Sequence, residues 1–238
     1  MHALLTELLA GRTLLLAVAA PVEVRGVFAG LERPDMPVPS LWGVARVHEK
    51  THVLYTGVSK ANAAGALGCV LGGTHPYGAV LSVGIAGALP GPNALRVGQS
   101  VVATACVFAD EGVVTSGGFQ TIESMGFPLD PSLDSGGALP TDPSLQQLFR
   151  SVIDVAGPVA TVSTCSGTDS LAREVRERTG AIAETMEGAA LALVARRRGV
   201  RFCEVRTISN LTGERSAQAW DIPGAVGRLS DIVRAVVA

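Results

Sequence analysis

The sequence contains no C-x-x-C pair; its four cysteines, Cys69, Cys106, Cys165 and Cys203, lie apart among small and apolar residues, and its four histidines do not gather beside them. The usual cysteine and histidine zinc spacings are therefore excluded and no disulfide framework is visible. Buried, reduced thiols in a cytoplasmic protein are expected, with no metal. A basic surface is missing too. Lys and Arg number 19 against 21 Asp and Glu, a net charge of −2, and only "ARRRG" at 195–199 concentrates positive charge. Three arginines there suit the C-terminal end of a helix, where cations complement the macrodipole, so no nucleic-acid partner is expected. No apolar run approaches the ~20 residues that a membrane span needs. The apolar start, "LLTELLAGRTLLLAVAA" (4–20), is split by Gly11-Arg12 and has no positive lead-in. It reads as a short amphipathic segment and a buried first strand, not as a leader peptide, and no membrane partner is expected.

Small and aliphatic residues are what the chain has in quantity. Of 238 residues, 47% are hydrophobic, 4% aromatic and 17% charged, enough for one large core and too apolar for disorder. Continuous apolar runs at 13–20, 52–57, 79–84, 100–108, 158–163 and 201–208 predict strands covered on both faces. Helices are predicted between them, at 59–71, 143–154, 169–179, 186–199 and 219–237. Ser59 caps the first of these, Asp142-Pro143 starts the second, and Gly199 stops the fourth. This alternation predicts one three-layer α/β/α domain over 1–238 with a mainly parallel sheet. The stretch 110–141, rich in Gly, Ser, Pro and Asp, reads as a long irregular excursion of the type that often covers a site.

In open α/β sheets ligands bind beyond the carboxyl ends of the strands, so the strand exits are where chemistry is sought. "SVGIAGAL" (82–89) leaves one strand with two close glycines but lacks both G-x-G-x-x-G and the phosphate-binding lysine, so it is a backbone approach to a small ligand or a plain tight turn. Glu23 follows the first apolar strand and suits either a site or a helix-start acid. Glu187 precedes Gly188-Ala189-Ala190 and an apolar face, where a carboxylate loses water and needs a partner, and suits either a site or a first-turn acid at a helix N-terminus. Asn210 closes a strand and suits either a turn or a ligand. Together they describe a polar pocket without a Ser-His-Asp set, a metal set or a phosphate lysine. Two carboxylates and an amide suit cleavage of a glycosidic bond without a cofactor, one carboxylate activating water and the other holding sugar hydroxyls.

These residues carry a family resemblance. "ETMEGAALA" followed by "VRTIS" resembles the M-E-G/A-A-A-x-A and R-x-I-S signature of the nucleoside phosphorylase and nucleosidase superfamily, "SVGIAGAL" its G-x-A-G-x-L loop, and "AVAAPVEV" the segment after its first strand. The resemblance runs in order along the whole chain. It implies a single α/β domain with a central mixed sheet, a small purine nucleoside as ligand and a homo-oligomeric assembly. Residue by residue, Glu187 matches the glutamate that binds the ribose hydroxyls and Met186 the methionine beneath the sugar. Glu23 matches the water-activating glutamate of the hydrolytic branch. Ile85 and Gly87 fall in the loop that meets the substrate, and Ser166, Gly167 and Thr168 resemble the stretch whose backbone reads the purine edge.

Two departures from the adenine-specific nucleosidases of that superfamily follow. Ile85 stands where they carry a serine, and Asn210 where they carry an aspartate. A carboxyl group suits adenine, which presents an amine beside N7. A 6-oxopurine presents an acceptor there, and an amide donates to O6 while its carbonyl accepts from protonated N7. An unmatched buried polar pair costs about 1–3 kcal/mol, one to two decades of purine preference. "ISN", "GER" and "WDIP" (220–223) together resemble the futalosine hydrolase branch. That likeness implies release of hypoxanthine in a menaquinone-forming route, with the 110–141 and 211–220 segments around the large non-purine end and Arg215 for its carboxylate. The rivals are an adenine-specific methylthioadenosine/S-adenosylhomocysteine-type nucleosidase, a phosphorylase using Arg25 and Arg46 to hold phosphate, and a binding protein that does not turn over.

Overall fold

The computed structural model describes residues 2–133 and 137–237, so positions 134–136 of the predicted excursion lie outside the described residues. Among the described residues there are eleven strands and seven α-helices, against the six strands and five helices expected from the apolar runs. The first half of the chain gives α1 (His2–Leu9), β1 (Thr13–Val18), α2 (Pro21–Gly30), β2 (Val44–His48), β3 (Thr51–Tyr55), α3 (Lys60–Leu71) and β4 (Tyr77–Ala88). Next come β5 (Ser100–Phe108), β6 (Gly112–Thr115), β7 (Gly118–Thr121), β8 (Ala138–Pro140), α4 (Pro143–Phe149), β9 (Val155–Thr161) and α5 (Asp169–Thr179). The chain finishes with β10 (Ala183–Thr185), α6 (Gly188–Arg197), β11 (Arg201–Leu211), a 3₁₀ turn at Arg215–Ala217 and α7 (Ile222–Val236).

The main sheet runs β10-β9-β5-β11-β4-β1-β3-β2, with β8 added alongside β5. β1 is parallel to β3 and β4, and β11 is parallel to β4, while β5 runs against β11 and β2 against β3. The sheet is thus mixed. β10 pairs both with β9 and, antiparallel, with the end of β4, so β10, β9, β5, β11 and β4 close on themselves. That closure brings β10, only three residues long, beside the carboxyl ends of β4 and β11.

Two apolar layers sandwich the sheet. On one side Val24, Val27 and Phe28 of α2 meet Leu229, Ile232 and Val233 of α7, together with α1 and α4. On the other, Ala63, Ala66 and Leu67 of α3 pack with Ala189, Leu191 and Ala192 of α6. Such three-layer covering is why the strands read as unbroken apolar runs: all six residues of β1 are buried.

The structure refines several expectations. α2 has no counterpart among the predicted helices, because Gly26 and Gly30 weaken its pattern. Both are needed for close approach: a Cβ on Gly26 would strike Val226 of α7, and one on Gly30 would lie 2.5 Å from the Ser230 carbonyl. α4 stops at Phe149 rather than 154, because Asp154 turns to accept from the Ser100 amide and hydroxyl at 2.8 and 2.6 Å. The thiols are not all buried; Cys106 and Cys203 are, whereas Cys69 and Cys165 are exposed, and all four are free. Among the described residues no helix is long and apolar enough to cross a membrane.

The excursion is partly regular. β6 and β7 form a hairpin, Phe119 lies beneath the Arg178 guanidinium, and Asp130 pairs with Arg196 at the end of α6.

Candidate active site

A cavity of about 620 Å³ opens where β1, β4, β10 and β11 end. Its wall is built from the last residues of β4, β10 and β11 and from segments that follow the strands, at the carboxyl ends where α/β sheets bind ligands. Glu23, Ile85, Gly87, Ser166, Gly167, Met186, Glu187, Asn210 and Arg215 all line it, so the structure gathers nearly every candidate drawn from the sequence. Thr168 is not among the lining residues. Its hydroxyl instead caps α5 by accepting from the Leu171 amide at 3.2 Å, a local duty that any helix start can claim. Arg25 and Arg46, the cations considered for phosphate, are both exposed and do not line this cavity. None of its lining residues comes from 110–141, whereas Arg215, Gln218 and Trp220 come from the segment after β11. The excursion touches the neighbourhood through Asp110 and Glu111, which pair with Lys60 beside the Ser59 cap of α3.

Glu23 has both of the duties left open for it. It sits in the first turn of α2 and one carboxylate oxygen accepts from the Ala20 amide at 2.8 Å, satisfying a helix-start donor. The other accepts from the Ile85 amide, also at 2.8 Å, which ties α2 to the carboxyl end of β4. The stretch 82–89, expected as a loop or tight turn, is strand as far as Ala88, held there by its pairing with β11, and Ile85 serves through its backbone because its side chain offers no polar atom. Gly84 is glycine for a steric reason: a Cβ there would collide with both the Glu23 carboxylate and the Arg206 guanidinium, which lie against the bare strand.

Glu187 is the residue before α6 and its Oε1 accepts from the Ser59 amide at 3.1 Å. Its Oε2 lies 3.9 Å from Arg206 Nη2. Arg206 is buried on β11; it donates from Nε to Glu204 Oε1 at 2.8 Å and from Nη2 to Ser82 Oγ at 2.7 Å. One guanidinium thus serves three carboxylates. Burial pushes the Glu23 and Glu187 carboxyls above the ordinary glutamate value, while Arg206 pulls both back. Burial also disfavours the Arg206 cation, but Glu204, Glu187 and Glu23 outweigh that and hold it firmly protonated.

The amide end of the cavity is made by a bulge. β11 pairs Ile208 with Ala86 and Asn210 with Gly87, so Ser209 is the extra residue and Asn210 is turned toward the cavity. Asn210 Oδ1 accepts from Ser209 Oγ at 3.0 Å, and Nδ2 donates to the Leu211 carbonyl and to Gln218 Oε1, each at 3.3 Å. Gln218 in turn donates to the Ser166 carbonyl at 3.3 Å and to the Gly213 carbonyl at 2.9 Å. Arg215 stacks over Trp220, 4.9 Å from guanidinium carbon to ring centre, and donates to Gln218 Oε1 at 3.1 Å.

Four groups here carry no site signal of their own in the sequence. Arg206 and Trp220 enter it only inside "VRTIS" and "WDIP", because their partners are not legible from those motifs. Gln218 lies in an irregular loop with no periodic signal. Glu184 sits in a strand too short to recognise, yet it is buried and accepts from the Ser166 amide at 2.8 Å and the Ser166 hydroxyl at 2.6 Å. Burial raises its carboxyl above the ordinary value, and the two Ser166 donors oppose the rise. No group of three or more metal-binding side chains is present among the described residues.

Chemically, the cavity offers two desolvated carboxylates sharing a fixed cation at one end, and amide and hydroxyl groups at the other. The first end suits a sugar whose anomeric carbon gains positive charge, and the second a flat heteroaromatic leaving group.

Residues 45–238 match the family described as the phosphorylase superfamily. A futalosine hydrolase of Acidothermus cellulolyticus is 37% identical over 95% of this chain and 90% of its own length. A second, from Streptomyces coelicolor, is 36% identical over 92% and 93%. In three dimensions the chain resembles a mutant futalosine hydrolase of Helicobacter pylori with a TM-score of 0.74, at 20% identity over 95% of this chain and 98% of the other.

Proposed function

The chain belongs to the phosphorylase superfamily, and from that premise we propose that it hydrolyses the N-glycosidic bond of futalosine. The observation that carries the proposal is the pairing of Glu23 and Glu187 around Arg206 at one end of a cavity that has Asn210 at the other. Sequence relatives at 36–37% identity over nearly the full chain support the substrate.

In this reading Glu23 takes a proton from water as it attacks C1′. Its burial makes it a better base than a solvated glutamate, and the Ala20 and Ile85 amides fix its orientation. Glu187 accepts from the ribose hydroxyls, with Met186 against the sugar, and Arg206 keeps both carboxylates charged together. Asn210 Nδ2 turns from its long contacts to donate to O6, while Oδ1 accepts from protonated N7. An amide has no proton to give, so the N7 proton comes from solvent. Arg215, at the rim on Trp220, pairs with the carboxylate at the far end of the substrate. The products are hypoxanthine and dehypoxanthinyl futalosine, which places the step in a menaquinone-forming route. Four cysteines without a disulfide suit the reducing cytoplasm, and exposed Leu41, Trp42 and Val58 beside α3 suit a homo-oligomer.

The test is a substrate panel: futalosine, its 6-amino analogue, inosine and methylthioadenosine, each incubated with purified protein and the released base identified. Hypoxanthine from futalosine at the highest kcat/KM is the expected result; preferential release of adenine would overturn the reading in favour of an adenine-specific nucleosidase.

A further inference from the structure

We propose that Glu184 is a second determinant of base choice, its carboxylate accepting from the N1–H of a 6-oxopurine. This rests on the functional reading above and deepens it.

The register of the sheet is the starting point. Gly87 of β4 has Asn210 of β11 as its partner on one side and Glu184 of β10 on the other. Register partners project to the same face, so the two side chains stand on either flank of a residue that has none. Two strand spacings put their Cα atoms about 10 Å apart. Gly87 keeps the gap open, since a Cβ there would lie 2.8 Å from Thr212 Cγ2 and 3.5 Å from the Asn210 amide.

A hydrogen-bonded arc joins the two flanks. Glu184 accepts from Ser166, the Ser166 carbonyl accepts from Gln218, and Gln218 Oε1 accepts from Asn210. All four residues line the cavity. A base whose O6 and N7 face Asn210 turns the opposite side of its C6 corner, N1, toward the Glu184 flank. In hypoxanthine N1 carries a hydrogen. In adenine it carries a lone pair, which a carboxylate repels. Each Glu184 oxygen uses one acceptor position on Ser166 and keeps another for the ligand. Asn210 and Glu184 thus read neighbouring edges of the same base, and both readings favour a 6-oxopurine.

The experiment compares kcat/KM for futalosine and its 6-amino analogue in wild type and Glu184→Gln. A glutamine donates to N1 of adenine and removes the charge that repels it, while its carbonyl accepts from N1–H less strongly than a carboxylate, so the 6-oxo preference should fall ~10- to 100-fold. If Glu184 only holds Ser166, both substrates will lose equally and the unchanged ratio will overturn the proposal. A wild-type measurement guards against misfolding of the variant: 1-methylhypoxanthine, which has no N1–H, should inhibit at least ~10-fold more weakly than hypoxanthine. Equal inhibition would also overturn the proposal. Absence of any 6-oxopurine release by wild type would instead sink the functional reading, a separable outcome.

Discussion

Arg206 donates from Nε to Glu204 Oε1 at 2.8 Å, and both side chains are sealed from solvent behind the candidate base and ribose carboxylates. This ion pair is the charge on which the cavity is built, and its loss should be felt in both stability and turnover. Arg206→Met leaves Glu204 without its cation, and breaking such a buried pair costs about 3–5 kcal/mol. Urea unfolding should show a midpoint lowered accordingly. Arg206→Lys keeps the charge but not the fork that reaches Glu204 and Ser82 together, so it should retain more stability while still losing activity.

Glu23→Gln should reduce kcat by about 10²- to 10⁴-fold, the range of a lost general base, with little change in KM. In wild type the acid limb of the kcat/KM profile should fall above the ordinary glutamate range, because burial raises this carboxyl. The same shift has a sign in stability. A carboxyl raised on folding supports the fold fully below its unfolded value, and that support is lost as pH rises through the folded one. The melting temperature of Glu23→Gln should therefore improve relative to wild type as pH rises from acid toward neutral. A constant difference would show that Arg206 cancels the burial penalty.

Asn210→Asp should shift preference toward the 6-amino analogue by one to two decades, because a carboxyl accepts from an amine and repels O6. Rates with futalosine and its 6-amino analogue measured side by side check this directly.

Thr168→Ala removes a helix cap and nothing in the cavity. It should cost about 1 kcal/mol of stability, seen as a melting temperature lower by about 2–4 °C, with kcat/KM unchanged. A large activity loss would return Thr168 to the site.

The fold was legible wherever one element carries its own signal. β5 over 100–108 and α5 over 169–179 have the predicted bounds, and Ser59 and Asp142 cap helices as their chemistry suggests. α2 was hidden because Gly26 and Gly30 answer to α7, far along the chain. The site divides the same way. Glu23, Glu187 and Asn210 stand out as polar groups at the ends of apolar runs. Arg206, Glu184 and Gln218 do not, since their meaning lies in partners contributed by other strands and loops. Thr168 shares a segment with the cavity residues Ser166 and Gly167, but the chain turns into α5 at that point and its side chain caps the helix.

Hydrolysis of a 6-oxopurine nucleoside is tested by turnover of futalosine in phosphate-free ¹⁸O-labelled water. Hypoxanthine should be released with one ¹⁸O in the C1′ hydroxyl of the sugar product, at a rate that added phosphate does not change. Release only after phosphate is added, with a sugar 1-phosphate as product, would contradict it.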